Sequence, residues 1–252
     1  MAVSVLLTNN INLSDAWNAS ASGTPNAVAW CKAVQATSGA IDVSAVTVTG
    51  STSGTATLAS GQVKIVKAFA GLGNDIVVFT IYILRDILTT LVGTLSASVT
   101  YTSGTTSTES CVAYALAAAS NDVILDTSGF VATPSAATPW AENTITVGAG
   151  SVQLYAYGAD TTTTSLNTVG VGTPGTFTER RDVNITLCRF SSGDYTYAAG
   201  GSRGMIATPA SADAGVILVT SFIEGLLGPP ATPDQIFSGV RRVFVNDVIN
   251  QN

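Results

Sequence analysis

Histidine is missing altogether from the 252 residues. Its absence removes Ser-His-Asp and Cys-His nucleophilic machinery, imidazole acid–base catalysis and every His-ligated metal. Charge is scarce too: Asp, Glu, Lys and Arg make up 10% of the chain, against roughly a quarter in an average soluble domain. The ten basic residues are scattered, with only Arg180-Arg181 and Arg241-Arg242 adjacent, and the net charge is -6. Neutralising phosphates takes clustered cations, so nucleic acid is not an expected partner. Three cysteines, Cys31, Cys111 and Cys188, are too far apart for a zinc site or a disulfide framework, and each sits in an apolar stretch, as a small buried hydrophobe would. No apolar run reaches the roughly 18 residues of a membrane helix. The N-terminus MAVSVLLTNN lacks the basic region of a secretory signal. The expectation is a chain made in a host cytoplasm, with no membrane partner.

What is present is a β vocabulary. Hydrophobic residues make up 46% of the chain, and mean hydropathy is +0.39. Ser and Thr account for about a quarter, a bias that suits pleated, half-buried surfaces. Period-2 alternation runs through 41–49, 62–68, 143–147, 151–158, 182–190, 195–199, 215–222 and 240–245, the mark of strands with one buried face. Ile76 to Leu84 is nearly all apolar, as a strand buried on both faces would be, and 95–102 and 110–116 add two more. Gly/Ser/Thr clusters at 49–54, 103–105, 191–194 and 200–202 read as turns. The pattern predicts an all-β, antiparallel β-sandwich, jelly-roll-like, with short helical turns and extended termini. Leu84 to Val92 is the best helical segment; 126–142 and 161–175 read as long loops. Expected divisions are an arm with the first strands over 1–59, a sandwich core over 60–228 and a C-terminal arm over 229–252. One continuous domain is the alternative. No repeat of short fixed period is visible, which excludes solenoids and propellers.

Chemistry without histidine falls to carboxylates, and glycoside hydrolysis needs only two of them suitably spaced. The candidates are Asp122 with Asp126, Asp160, Glu179 with Asp182, and Asp194, most of them beside strand ends where Asp commonly caps turns. Gly170-Val171-Gly172-Thr173-Pro174-Gly175 is formally G-x-G-x-x-G, but no helix pattern follows it, so it reads as turn glycine and not as a dinucleotide site. No EF-hand pattern appears; calcium would need scattered ligands such as Asn121, Asp122 and Asp126. Asn12, Asn18 and Asn184 begin N-x-S/T triplets, read as chance matches. The expectation is no catalytic residue, no metal site, no cofactor and no enzyme. Tyr155 and Tyr157 share a strand face and read as core. Trp140, in the Pro-rich segment, is the best single ligand-contact candidate.

The strand series Asp75–Leu84, Leu95–Thr102, Ser110–Leu116, a Pro-rich stretch, Ser151–Asp160, Phe177–Arg180 and Gly215–Phe222 resembles jelly-roll-like structural proteins of tailed bacteriophages, both head-decoration and tail-associated. The likeness covers roughly residues 60 to 225 and carries no catalytic signature. It implies a virion structural protein, foremost a capsid decoration or cement protein at the virion surface. Its partners would be the capsid protein, other virion proteins and copies of itself as a homo-oligomer. Apolar residues near the two ends, Val3, Leu6 and Leu7 with Phe237, Val243, Phe244 and Val245, are then the expected assembly contacts. The alternative is a tail, fibre or adhesin-type module that binds glycans through Trp140 and the Thr161–Thr164 loop. A carboxylate glycosidase is third.

Overall fold

A computed structural model of the chain describes residues 3–11, 17–18, 25–38, 41, 43–52, 57–58, 63–70, 76–101, 105–106, 109–133, 140–142, 145–160, 166–171, 176–185, 188–202, 205–209 and 215–225. The fold is all-β, and every strand pair is antiparallel. The first half contributes β1 (Ser4–Ile11), β2 (Trp17–Asn18), β3 (Ala27–Ser38), β4 (Val43–Gly50), β5 (Thr57–Leu58), β6 (Lys64–Ala70), β7 (Ile76–Leu84), the single turn α1 (Arg85–Leu88), β8 (Thr94–Tyr101), β9 (Thr105–Thr106) and β10 (Ser110–Ala117). The second contributes β11 (Asp122–Thr133), β12 (Trp140–Glu142), β13 (Thr146–Val147), β14 (Val152–Ala159), β15 (Leu166–Val171), β16 (Thr176–Ile185), β17 (Cys188–Thr196), β18 (Gly201–Ser202), β19 (Met205–Pro209) and β20 (Gly215–Gly225).

The inner sheets of the two halves have the same connectivity; the second half also has a two-stranded sheet, β13-β18. The first builds an inner sheet ordered β1-β10-β3-β7-β6 and an outer one ordered β2-β8-β4-β5; the second builds β11-β20-β14-β17-β16 and β12-β19-β15. First strand beside last, last beside the third long strand, and so on outward: each inner-sheet strand has a counterpart. The match extends to single residues. Each first strand carries a bulge at the same point, one extra residue between Val5 and Leu7 in β1 and between Leu125 and Thr127 in β11. Counting from the bulge, the cross-strand row Val5–Leu116–Ala27–Leu84 corresponds to Leu125–Phe222–Val152–Thr196. The repeat spans over a hundred residues and lies in the pairing pattern, so no short period in the sequence announces it. The expected boundary at 59/60 falls between β5 and β6, inside the first half, and strands on both sides of it share one inner sheet. The inner sheets divide between Ala117 and Asp122.

The inner sheets pack back to back. Ala27, Ala29, Cys31 and Ala33 of β3 and Val152, Leu154 and Ala156 of β14 line one continuous core with Ile76, Val78, Tyr114, Phe190, Leu218 and Phe222. Small residues on β3 let the sheets come close: a Cβ at Gly158 would stand 2.8 Å from Ile76 Cγ2. The opposite face of β3, Val28, Trp30 and Val34, packs with Phe79, Ile81 and Ile83 against Val46, Val48, Leu95 and Ala97 of the outer sheet. β3 and β14 are therefore buried on both faces, which is why 27–36 and 151–159 are almost wholly apolar or small. Removing this much apolar surface from water, at about 25 cal/mol per Å², is the main force holding the halves together.

Three sequence expectations are corrected. Ser191 to Asp194 is the buried middle of β17, and the hairpin comes earlier, where Ile185 pairs with Cys188. The polar residues tolerate burial because they are bonded: Ser192 Oγ donates to the Tyr155 carbonyl at 2.7 Å, and Ser191 Oγ lies 3.1 Å from the Tyr155 hydroxyl. The segment 126–142 is largely strand, since β11 continues to Thr133 alongside β20. Residues 166–171, expected in a loop, form β15 against β19. In contrast, Tyr155, Tyr157 and all three cysteines are buried, as expected.

Candidate functional site

The aspartates singled out from the sequence are held by structural partners. Asp182 takes both Arg189 Nε (2.6 Å) and Nη2 (2.7 Å), while Arg189 Nη1 reaches Asn184 Oδ1 at 2.6 Å, all across the β16–β17 hairpin. Asp194 is clamped by Arg180 Nε and Nη2. Asp122 pairs with Arg85 at 3.1 Å. Asp126, the extra residue in the β11 bulge, accepts the Gly148 N–H at 2.9 Å and the Ser221 hydroxyl at 3.2 Å. Asp160 accepts Gln35 Nε2 at 2.6 Å. Glu179 is exposed, and partial burial followed by repulsion from Asp182 raises its carboxyl. Asp122, Asp126, Asp160, Asp182 and Asp194 each serve a tying contact, and Glu179 lies close enough to Asp182 to feel its charge.

The suggested calcium ligands diverge similarly. Asn121 Nδ2 donates to Glu224 Oε1 at 3.0 Å, Asp122 faces Arg85, and Asp126 faces the Gly148 N–H. Among the described residues, no group of three acidic or cysteine side chains could hold a metal ion. Gly170 and Val171 of the formal glycine motif lie in β15; positions 172–175 are outside the described residues.

Buried polar contacts join the layers instead. Lys32, 1% exposed, reaches Glu109 at 2.8 Å, and the Tyr101 hydroxyl donates to the same carboxylate at 2.5 Å, tying inner to outer sheet in the first half. Between the inner sheets, the Tyr114 and Ser192 hydroxyls lie 2.7 Å apart; Ser192 already donates to a carbonyl, so Tyr114 is the donor. The counterpart contact, Thr220 Oγ1 to Thr80 Oγ1 at 3.1 Å, joins the two positions that correspond to Tyr114 and Ser192 in the opposite halves. Arg181 Nε donates to Ser110 Oγ at 3.0 Å. These contacts tie the layers to one another.

The predicted assembly residues fall in different places. Val3 is 1% exposed, packs in the core between the inner sheets, and its N–H donates to the Gly150 carbonyl at 2.9 Å. It is an internal tie, which corrects its reading as an inter-subunit contact. Leu6 is 43% exposed on the edge strand β1. Leu7 lies in the same strand opposite Ala115. Phe237, Val243, Phe244 and Val245 lie outside the described residues, as does the Thr161–Thr164 loop. Trp140 opens β12, opposite Ala207 of β19. In the first half another tryptophan, Trp17, opens β2 opposite Leu95 of β8. One surface residue went unread in the sequence: Phe130, 45% exposed on β11. It sat in a stretch read as loop, and the alternation of β11 is blurred by its bulge.

Each inner sheet ends in two edge strands, β1 and β6 in the first and β11 and β16 in the second; the candidate functional surface among the described residues is the sparsely charged pair, β1 and β11. Comparison with known proteins finds no matching family model, no similar curated protein and no similar solved structure.

Proposed function

We propose that the chain is a virion structural protein, a decoration or cement subunit that stabilises a phage-like head by contacts with the capsid protein and with copies of itself. The observation that carries this reading is the back-to-back packing of two similar sandwiches about one core, with edge strands of the inner sheets that pair with no outer strand among the described residues. Such an arrangement offers contacts at its sides. The strand order supports a jelly-roll assignment as well. With β6 and β9 set aside, the eight remaining strands of the first half run first-eighth-third-sixth in one sheet and second-seventh-fourth-fifth in the other, the order of a rolled-up double Greek key. Jelly rolls serve many functions, so the fold is compatible with the proposal and does not by itself select it.

The test is co-sedimentation of the purified full chain with empty shells from its own source. Saturable binding that delays shell rupture on heating is the expected result. A folded chain that leaves shells untouched at every ratio overturns the decoration reading.

A further inference from the structure

We infer that the β1 edge of one copy of this chain pairs with the β11 edge of a second copy, so that the protein associates with itself through its inner sheets. This deepens the proposed assembly role by naming the self-contact. Three observations lead to it. First, β1 and β11 occupy corresponding positions, each an outermost strand of an inner sheet, and among the described residues neither pairs with a second strand on its outer side. Second, natural edge strands are blunted with lysine, proline, charges or β-bulges; each of these two strands has a single bulge but no lysine or proline, while the opposite edges of the same sheets, β6 (KIVKAFA) and β16 (TFTERRDVNI), are charged. β1 (SVLLTNNI) has no charged residue and no proline, and neither does β11 beyond its bulge (TSGFVAT). The two acids of β11, Asp122 and Asp126, are engaged by Arg85 and by Gly148 and Ser221 of their own chain. Third, three large hydrophobic residues stand exposed among the described residues, Leu6, Val92 and Phe130, and two of these lie on the two edges.

A second copy is the occupant that this duplication favours. Strands at corresponding positions, brought side by side about a local two-fold axis, run antiparallel, as every ladder within the chain does. The contact would leave the remaining β11 and β1 edges open, one on each copy, so pairing repeats into rows or closes into a ring. Leu6 and Phe130 would lose their exposure at each junction.

Sedimentation velocity of the full-length chain over a concentration series tests this, with Leu6→Lys, Phe130→Lys and the double variant beside it. Val92→Lys, an exposed hydrophobe away from both edges, serves as control. Association that either edge lysine weakens about tenfold or more, and that Val92→Lys leaves unchanged, is the expected result. All these sites are exposed, and unchanged melting temperatures verify that the variants fold. A wild-type chain that stays single at about 100 µM, or an oligomer that survives in the double variant, overturns the inference. Its failure is separable from failure of the decoration reading: a strictly single chain that still binds shells removes only the self-contact, and an edge-dependent oligomer that ignores shells removes only the decoration role.

Discussion

Gln35 and Asp160 hydrogen-bond to each other at 2.6 Å across the interface between the two halves, and they occupy the same position in each. Gln35 lies opposite Ile76 in the first inner sheet, and Asp160 directly follows Ala159, which lies opposite Arg189, in the second. Contact between corresponding residues is what an isologous interface produces on its axis. Ala33 and Gly158, another corresponding pair, also face each other there, since a Cβ at Gly158 would lie 3.8 Å from that of Ala33. The chain thus resembles a two-fold dimer joined by the short connection 118–121.

That relationship predicts survival of a break in the chain. A protease site placed between the exposed residues Ala119 and Ser120, cut after purification, is expected to leave the halves together as one species in size-exclusion chromatography. They separate only in denaturant, because the shared core and not the connection holds them. Spontaneous separation in buffer would show that the inter-sheet core is too weak to act as an interface.

At one buried position the halves differ in polarity. Gln153 is fully buried on β14, and neither its amide nitrogen nor its carbonyl oxygen has a hydrogen-bond partner. Its counterpart in the first half is Val28, a core residue. An unsatisfied buried amide costs about 1–3 kcal/mol, so Gln153→Leu is expected to raise the urea midpoint by an equivalent amount. A lowered midpoint would mean that the amide is bonded in solution.

Gly193 permits no side chain. A Cβ there would stand 2.5 Å from the Thr178 carbonyl oxygen and 2.7 Å from Tyr155 Cε1. The carbonyl belongs to the paired β16 backbone and cannot move without breaking the ladder. Gly193→Ala is expected to cost about 1–3 kcal/mol, and Gly158→Ala less, because the methyls of Ile76 and Val78 that crowd it can shift. Thermal melts of the two variants check the order.

Alkaline pH should weaken the fold through its thiols. Burial pushes Cys31 and Cys188 up from 9.0 to about 12, with the neighbouring Thr80 and Ser192 hydroxyls opposing the rise at Cys31. In the unfolded chain both ionise near 9; in the folded chain they hold their protons. The folded state then binds more protons, and stability falls as pH rises from about 9 toward 12. Melting temperature measured from pH 7 to 10.5 should drop over the upper part of the range, less steeply in Cys31→Ala. Native protein should also resist thiol reagents at pH 8, since the thiolate is the reactive form.

Much of the strand content was legible because it rests on local pattern. Ile76–Leu84 has no polar break except Thr80, and Thr80 is bonded to Thr220 at the inter-sheet seam. Ser191-Ser192-Gly193-Asp194 was misread because its composition is that of a turn, while the hydroxyl partners that make it a strand come from Tyr155 and from Tyr114, 78 residues from Ser192. Phe130 was missed because a bulge resets the alternation by one residue, and its place on an edge depends on which strand ends up outermost.

By itself the sequence determined the fold class, the burial of its cysteines and the absence of histidine chemistry, for these follow from residue type and period-2 spacing. Only the tertiary structure decided that the chain is two matching sandwiches and which strands are left at the edges of the inner sheets. It also decided that Asp126, Asp160, Asp182 and Asp194 act as ties. Pairing order and register arise from contacts between residues far apart in the chain, and the two halves keep them with different side chains. Ala33 answers to Gly158 and Val28 to Gln153, so the repeat survives in geometry after it has faded from the letters.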